Sequence, residues 1–178
     1  TTVQTRAAIP AQQLAMTNKK QWLNACLELA HDFNPRHTHF IGRGLTCIGQ
    51  RGSGKSGLAA KVLEQIWKIP VIPGVCFDYK VDFASLADVL PNVRIGGAPN
   101  WSAAGRYPGK YWSISIKNAK AAGYEVRERG AQLVVELSSY ASLDEAAQVM
   151  SAIVMGMFEW TQDHENAPPA LVLLDEAQ

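Results

Sequence analysis

Residues 49–56 read GQRGSGKS, between a short apolar run, LTCIG (45–49), and a long amphipathic stretch, GKSGLAAKVLEQIWK. No other feature restricts the fold as much. The spacing G-x-x-x-x-G-K-[ST] works when a strand ends in a glycine-rich turn and a helix begins on the Lys-Ser pair, so that backbone N–H groups and the helix N-terminus converge on phosphate oxygens. Both flanks fit, and the run predicts a cradle for ATP with Mg2+. The residues expected to line it are Gly49, Gln50, Arg51, Gly52, Ser53, Gly54, Lys55, Ser56 and Gly57. Lys55 is expected to reach the β- and γ-phosphates, and the Ser56 hydroxyl to ligate magnesium. Arg51 has two readings, a phosphate contact or a side chain facing solvent.

Such a cradle needs an acid on a neighbouring strand, and ALVLLDEAQ at 170–178 supplies one. Asp175 is expected to hold magnesium directly or through water. Glu176 is placed to polarise an attacking water as general base, and the adjacent acids argue for hydrolysis rather than binding alone. Lys55 and Glu176 are therefore the expected catalytic pair. Gln178 reads either as a γ-phosphate sensor or as an ordinary strand-end amide. A sheet of this kind is expected to continue with a further polar-tipped strand, so the domain is read as incomplete at its C-terminus and the chain as part of a longer protein.

Strand-like and helix-like segments alternate along the 178 residues. After the helix that follows the cradle, VIPGVCFDY reads as a buried strand ending near Asp78, DFASLADVL as a short helix with Asp82 as its cap, and NVRIGG as a third strand. KNAKAAGYEVRERG reads as a helix stopped by Gly130, AQLVVELS as a strand, and SLDEAAQVMSAIVMGMFEWTQDH as a long helix opened by a Ser142–Glu145 capping box. Alternation of this kind predicts an α/β fold with a mainly parallel sheet. Residues 1–16 read as an arm or linker, and 17–178 as the core, opened by a helix with Trp22, Leu23, Cys26 and Leu27 at helical spacing. A formal net charge of +1 makes no global case for nucleic acid or membrane binding. Cys26, Cys47 and Cys76 lack metal or disulfide spacing and read as core residues of a reducing compartment. With no apolar run near ~20 residues and no apolar leader in TTVQTRAAIP, neither a membrane span nor secretion is expected, and the location read from this is cytoplasmic.

VCFDYKVDFASLADVL is the most informative intervening stretch. It resembles the D-x-K-x-[DE]-[FWY] segment that follows the phosphate-loop helix in HerA/FtsK-type ATPases. The run from RERGAQLVVELSSY through the long helix to LLDEAQ is similar to the same family's approach to its acidic strand. The resemblance covers roughly residues 40–178 in order. It implies a three-layer, RecA-like, additional-strand P-loop NTPase core that assembles as a hexameric ring. Such a ring hydrolyses ATP at subunit interfaces, uses an arginine from the neighbour, moves double-stranded DNA and commonly partners a nuclease. Asp78 would then sit at a strand tip near the nucleotide, or be a helix-capping or ordinary strand-end acid. Lys80 and Asp82 would pair with each other or with a neighbouring subunit.

Other features stay open at this level. Arg127 and Arg129 read either as interface arginines or as a solvated helix end. The stretch 97–115, with Trp101, Arg106, Lys110, Tyr111 and Trp112, reads as a long loop that either contacts DNA or packs its aromatics on the core. His31, His37, His39 and His164 lack metal spacing and read as surface residues. Two other functions compete. DEAQ itself suggests a DEAD/DEAQ-type helicase, although the Pro-Thr-x-x-Leu and Thr-Pro-Gly segments of that class do not occur between 57 and 170. An ATP-dependent assembly scaffold with little turnover is the third.

Overall fold

A computed structural model describes residues 54–68 and 72–175. Helix α1 (Lys55–Trp67) leads to strand β1 (Gly74–Asp78), the short helix α2 (Leu86–Val89), β2 (Val93–Gly97), a turn of 3-10 helix at Ala104–Arg106 and β3 (Tyr111–Ser113). Then come α3 (Ala119–Glu128), β4 (Gln132–Glu136), a second 3-10 turn at Leu137–Ser139, α4 (Leu143–Asp163) and β5 (Leu171–Leu174). The strands form one five-stranded sheet in the order β3-β2-β4-β1-β5. Every pairing in it is parallel. The expected α/β class with a parallel sheet is present. The expected arm, first helix and strand 45–49 lie outside the described residues, as do Pro70, Cys26, Cys47, His31, His37 and His39.

Parallel strands with both faces covered read as continuous apolar runs, and β1 and β4 are buried at every position. Side chains alternate between the faces. Cys76, Val134 and Ile95 face α1 and α2, where Val62, Leu63, Ile66, Trp67, Leu86 and Ala87 close one half of the core. Val75, Phe77, Leu133 and Val135 face α3 and α4, where Val126, Val149, Ile153 and Met157 close the other. Cys76 is fully buried, as its apolar run predicts, and burial pushes its thiol well above the ordinary range. The Ser142 half of the capping box forms, the Glu145 N–H donating to Ser142 Oγ (3.1 Å), while Glu145 Oε2 accepts from the N–H of Ala141 (3.1 Å), one residue before the cap.

Three local expectations are corrected. The stretch 97–115 is not all loop. Tyr111–Ser113 pair with Ile95–Gly97 as the edge strand. Asp82 does not cap α2, whose N-cap is Ser85 and which lacks a side-chain cap. Arg127 is no solvated helix end: it is 2% exposed, its guanidinium lies 4.8 Å from the Trp160 ring centre, and Nη2 donates to Pro168 O. Burial lowers its pKa, and it anchors the segment before β5 to the end of α3. Arg129 is exposed and pairs with Glu125 at 2.7 Å. His164 is half-buried and stacks on Trp160, with ring centres 3.9 Å apart.

Helices α3 and α4 approach so closely that their crossing is built on glycine. A Cβ at Gly123 would stand 1.9 Å from Ile153 O, and one at Gly156 would stand 1.9 Å from Lys120 O. Both obstructing atoms are backbone, so relief requires the helices to separate. Gly123→Ala and Gly156→Ala are each expected to cost about 1–3 kcal/mol, the usual range for overpacking, read as a lower denaturant midpoint. Gly105→Ala, with nothing within 4 Å of its added Cβ, should stay within about 0.5 kcal/mol of the parent.

Candidate functional site

Helix α1 enters on Gly54, whose φ of 83° and ψ of 16° lie in the left-handed region. That conformation is open to glycine and costly for other residues, which gives the last glycine of the GQRGSGKS run a physical reason. The Leu58 N–H donates to Gly54 O (2.9 Å), so the helix ladder starts there. Lys55 and Ser56 occupy the first turn, half-buried, and Gly54 and Gly57 are exposed. At the other end of the helix, Gln132 Nε2 donates to Trp67 O (2.8 Å), which ties the C-terminus of α1 to the first residue of β4. Thirteen helical residues extend about 20 Å and a five-residue strand about 16 Å. The first turn of α1 therefore lies at the carboxyl end of the sheet.

Acids meet it there. Asp78 and Glu136, the last residues of β1 and β4, are partners in register. Phe77 is opposite Leu174, and the next residue, Asp175, continues the ladder by donating its N–H to Phe77 O (3.1 Å). Glu136, Asp78 and Asp175 thus form one row across three neighbouring strands. The alternation that points Cys76 at α1 points this row the same way. After burial, the charges of Asp78, Asp175 and Glu136 all help to raise the Cys76 thiol.

The row is not uniform. Asp78 is fully buried, and both its oxygens accept from the loop that follows: Oδ1 from the Lys80 N–H (2.9 Å) and Oδ2 from the Phe83 N–H (2.7 Å). These bonds bend the chain back at the strand tip. Val81, inside the bend, has a φ of 64°. A β-branched residue in the left-handed region is strained, and such strain persists only where the surroundings enforce it. Tyr79, Lys80, Val81 and Asp82 are exposed above the strand end.

Glu136 is also fully buried, but neither of its carboxyl oxygens has a hydrogen-bond partner among the described residues. Burial first, then the charges of Asp78 and Asp82, push its pKa up to about 8. At neutral pH it is a protonated, neutral acid. Sequence reading passed over Glu136 because AQLVVELS looks like a plain buried strand. The available signal was a carboxylate ending an otherwise apolar five-residue run, the same pattern that drew attention to Asp78.

Of the residues expected from sequence, the structure brings Gly54, Lys55, Ser56, Gly57, Asp78 and Asp175 to one end of the sheet. Gly49, Gln50, Arg51, Gly52, Ser53, Glu176 and Gln178 lie outside the described residues. The aromatics of 97–115 are half-buried and pack against the core. Trp101, Tyr107 and Tyr111 pack against the α1 side, with Trp101 about 6 Å from both tyrosines (6.1 and 6.0 Å between ring centres), and Trp112 packs against the α4 side. Lys110 Nζ donates to Ala87 O. A cavity of about 380 Å3 opens near the carboxyl end of the sheet on the α4 side, lined by Tyr79, Leu137, Ser138, Tyr140, Ala141, Ser142 and Leu143.

Among the described residues no group of three or more His, Cys, Asp or Glu could hold a metal ion by itself. A magnesium site of the phosphate-assisted kind uses one or two protein oxygens, joined by waters and substrate phosphates. Ser56 in the first turn of α1 and Asp175 at the tip of β5 are donors of the right chemistry at the right end of the sheet. Among the described residues, no helix is long and apolar enough to cross a membrane. Comparison of the chain with protein-family models, with curated proteins and with solved structures finds no match.

Glu136 has a consequence for stability. Its folded pKa, about 8, exceeds the ordinary 4.5, so between those values the folded chain holds a proton that the unfolded chain has released. Its contribution to stability is therefore complete below about pH 4.5 and is lost progressively as pH rises to about 8. Glu136→Gln removes the titration. Denaturant midpoints measured across this range should show the variant gaining on the parent as pH rises, with the difference levelling off above pH 8. Parallel profiles would mean that Glu136 titrates as a solvated carboxylate.

Proposed function

We propose that the chain carries an ATP-binding and ATP-hydrolysing site at the carboxyl end of its parallel sheet. The observation that supports this reading best is one of placement. The helix that opens on Gly54-Lys55-Ser56 starts at the sheet end where β5 delivers Asp175. In this reading the N–H groups of the first turn and the Lys55 ammonium bind the β- and γ-phosphates. Ser56 and Asp175 would hold Mg2+, which supplies charge neutralisation of the transferring phosphoryl group. Glu176, next in the chain, would orient the attacking water and take its proton. Asp78, held by two backbone N–H groups, would keep the neighbouring strand tip rigid.

The finer reading, that this is the motor core of a HerA/FtsK-type ring moving duplex DNA, rests on the order of sequence motifs. An all-parallel sheet with helices on both faces is compatible with it. A helicase of the DEAD/DEAQ type and an assembly scaffold with little turnover remain the rivals. No DNA contact is assigned to Trp101, Tyr111 or Trp112, since their rings are used in packing.

Lys55→Ala should lower ATP affinity and turnover by at least tenfold, the scale on which lost charge-assisted bonds to phosphate are felt. Parent-like turnover in that variant would overturn the assignment. Glu176→Gln should still bind ATP with Mg2+ while hydrolysis falls by about 100-fold or more, in line with the loss of a general base. Turnover measured with duplex DNA, single strands and no nucleic acid separates the three functions. Stimulation by duplex DNA supports the motor, stimulation by single strands or RNA alone supports the helicase, and nucleotide-dependent oligomerisation without turnover supports the scaffold.

A further inference from the structure

Strands β1 and β4 are neighbours, yet the chain leaves them on opposite faces of the sheet. From β1 it passes to α2, packed on the α1 side with Leu86 and Ala87 in that half of the core. From β4 it passes to α4, packed on the other side through Ala146, Val149 and Ile153. Divergent connections of this kind leave a crevice at the carboxyl ends of open parallel sheets, and ligands bind in such crevices. The residues that end the two strands here are Asp78 and Glu136, in register. Asp78 is committed to its loop through both oxygens. Glu136 is 0% exposed and has no partner for either oxygen among the described residues. A buried polar group in a folded protein is nearly always satisfied, and a ligand seated in this crevice would satisfy Glu136.

We propose that Glu136 is a further ligand-binding residue of the candidate nucleotide site, a neutral carboxylic acid whose hydroxyl donates a hydrogen bond to a phosphate oxygen. This inference rests on the nucleotide reading above. Phosphate oxygens only accept hydrogen bonds at neutral pH, and a protonated carboxyl is the one form of Glu that donates. An ionised Glu136 would present two more acceptors and a like charge to the same anion. The surroundings hold the proton in place. Asp78 on β1 and Asp82 in the loop after it are the charges that, with burial, keep Glu136 protonated up to about pH 8. The Cys76 thiol on β1 and the Tyr107 phenol between β2 and β3 feel its charge in turn.

The test is Mg-ATP binding to the whole chain by titration calorimetry from pH 6.5 to 9.5, with the parent, Glu136→Gln, Glu136→Ala and Lys55→Ala. For a group with a pKa of about 8 whose ionised form does not bind, affinity falls about tenfold between pH 7 and 9. The parent should show this fall. Glu136→Gln keeps a donor and cannot ionise, so it should match the parent at pH 7 and lose no affinity by pH 9 on this account. Glu136→Ala should bind several-fold more weakly at pH 7, with the same flat profile. Titration of ATP itself is common to all four proteins and cancels in the comparison, and thermal melts establish that each variant is folded. If the parent binds and Lys55→Ala does not, but both Glu136 variants keep the parent's affinity and its pH profile, the proposal is overturned while the nucleotide site stands. If the parent fails to bind, or Lys55→Ala binds equally well, both fall together.

Discussion

Parallel pairing of β1 with β4 on one side and β5 on the other is the constraint on which the rest of this structure depends. It makes β1 an interior strand, buried at all five positions, and sets the register in which neighbouring strand ends meet. Because partners in a parallel ladder point to the same face, a carboxylate at the end of each strand falls into a single row. Shifting any of the three strands by one residue would turn its acid to the opposite face and break the row. The acids are therefore placed by the ladder rather than by contacts among themselves.

Both faces of that ladder are closed by helices, but by different means. On one side α1 lies along the strands and is pinned at its C-terminus by Gln132, which fixes where its N-terminus emerges. On the other side α3 and α4 cross at Gly123 and Gly156 at a separation no larger residue allows. Arg127, buried against Trp160 and bonded to Pro168 O, then ties that pair to the segment entering β5. Packing at the amino end of the sheet thus holds the strand whose tip carries Asp175 at the carboxyl end. The apolar interior and the charged row share one frame.

Much of this was legible from residues alone, for identifiable reasons. Apolar runs bounded by glycine and proline marked β1, β2, β4 and β5. The capping box at Ser142 and the glycine at 130 marked the start of α4 and the end of α3. Failures fell where tertiary context overrides a local rule. Tyr111–Ser113 were hidden in a stretch rich in Gly, Pro and aromatics, because a three-residue edge strand has too few positions to show an alternation. Asp82 was a reasonable cap by position, yet Asp78 took the Phe83 N–H across the turn. Arg127 looked like a solvated helix end, since nothing local announces a cation–π contact with a residue 33 positions on.

The sequence by itself determined the chemistry on offer: a glycine-rich turn opening a helix on Lys55-Ser56, an apolar strand closing on Asp175-Glu176, and alternating elements that commit the chain to a parallel sheet. Those follow from local backbone preference and from hydrophobic period, which act over a few residues. Which acids stand together was decided only by tertiary structure. Strand order brings Glu136 beside Asp78, 58 positions apart in the chain, and burial between those strands turns an ordinary glutamate into a neutral acid at pH 7. Desolvation and the field of neighbouring charges depend on distances through space, which no local pattern records.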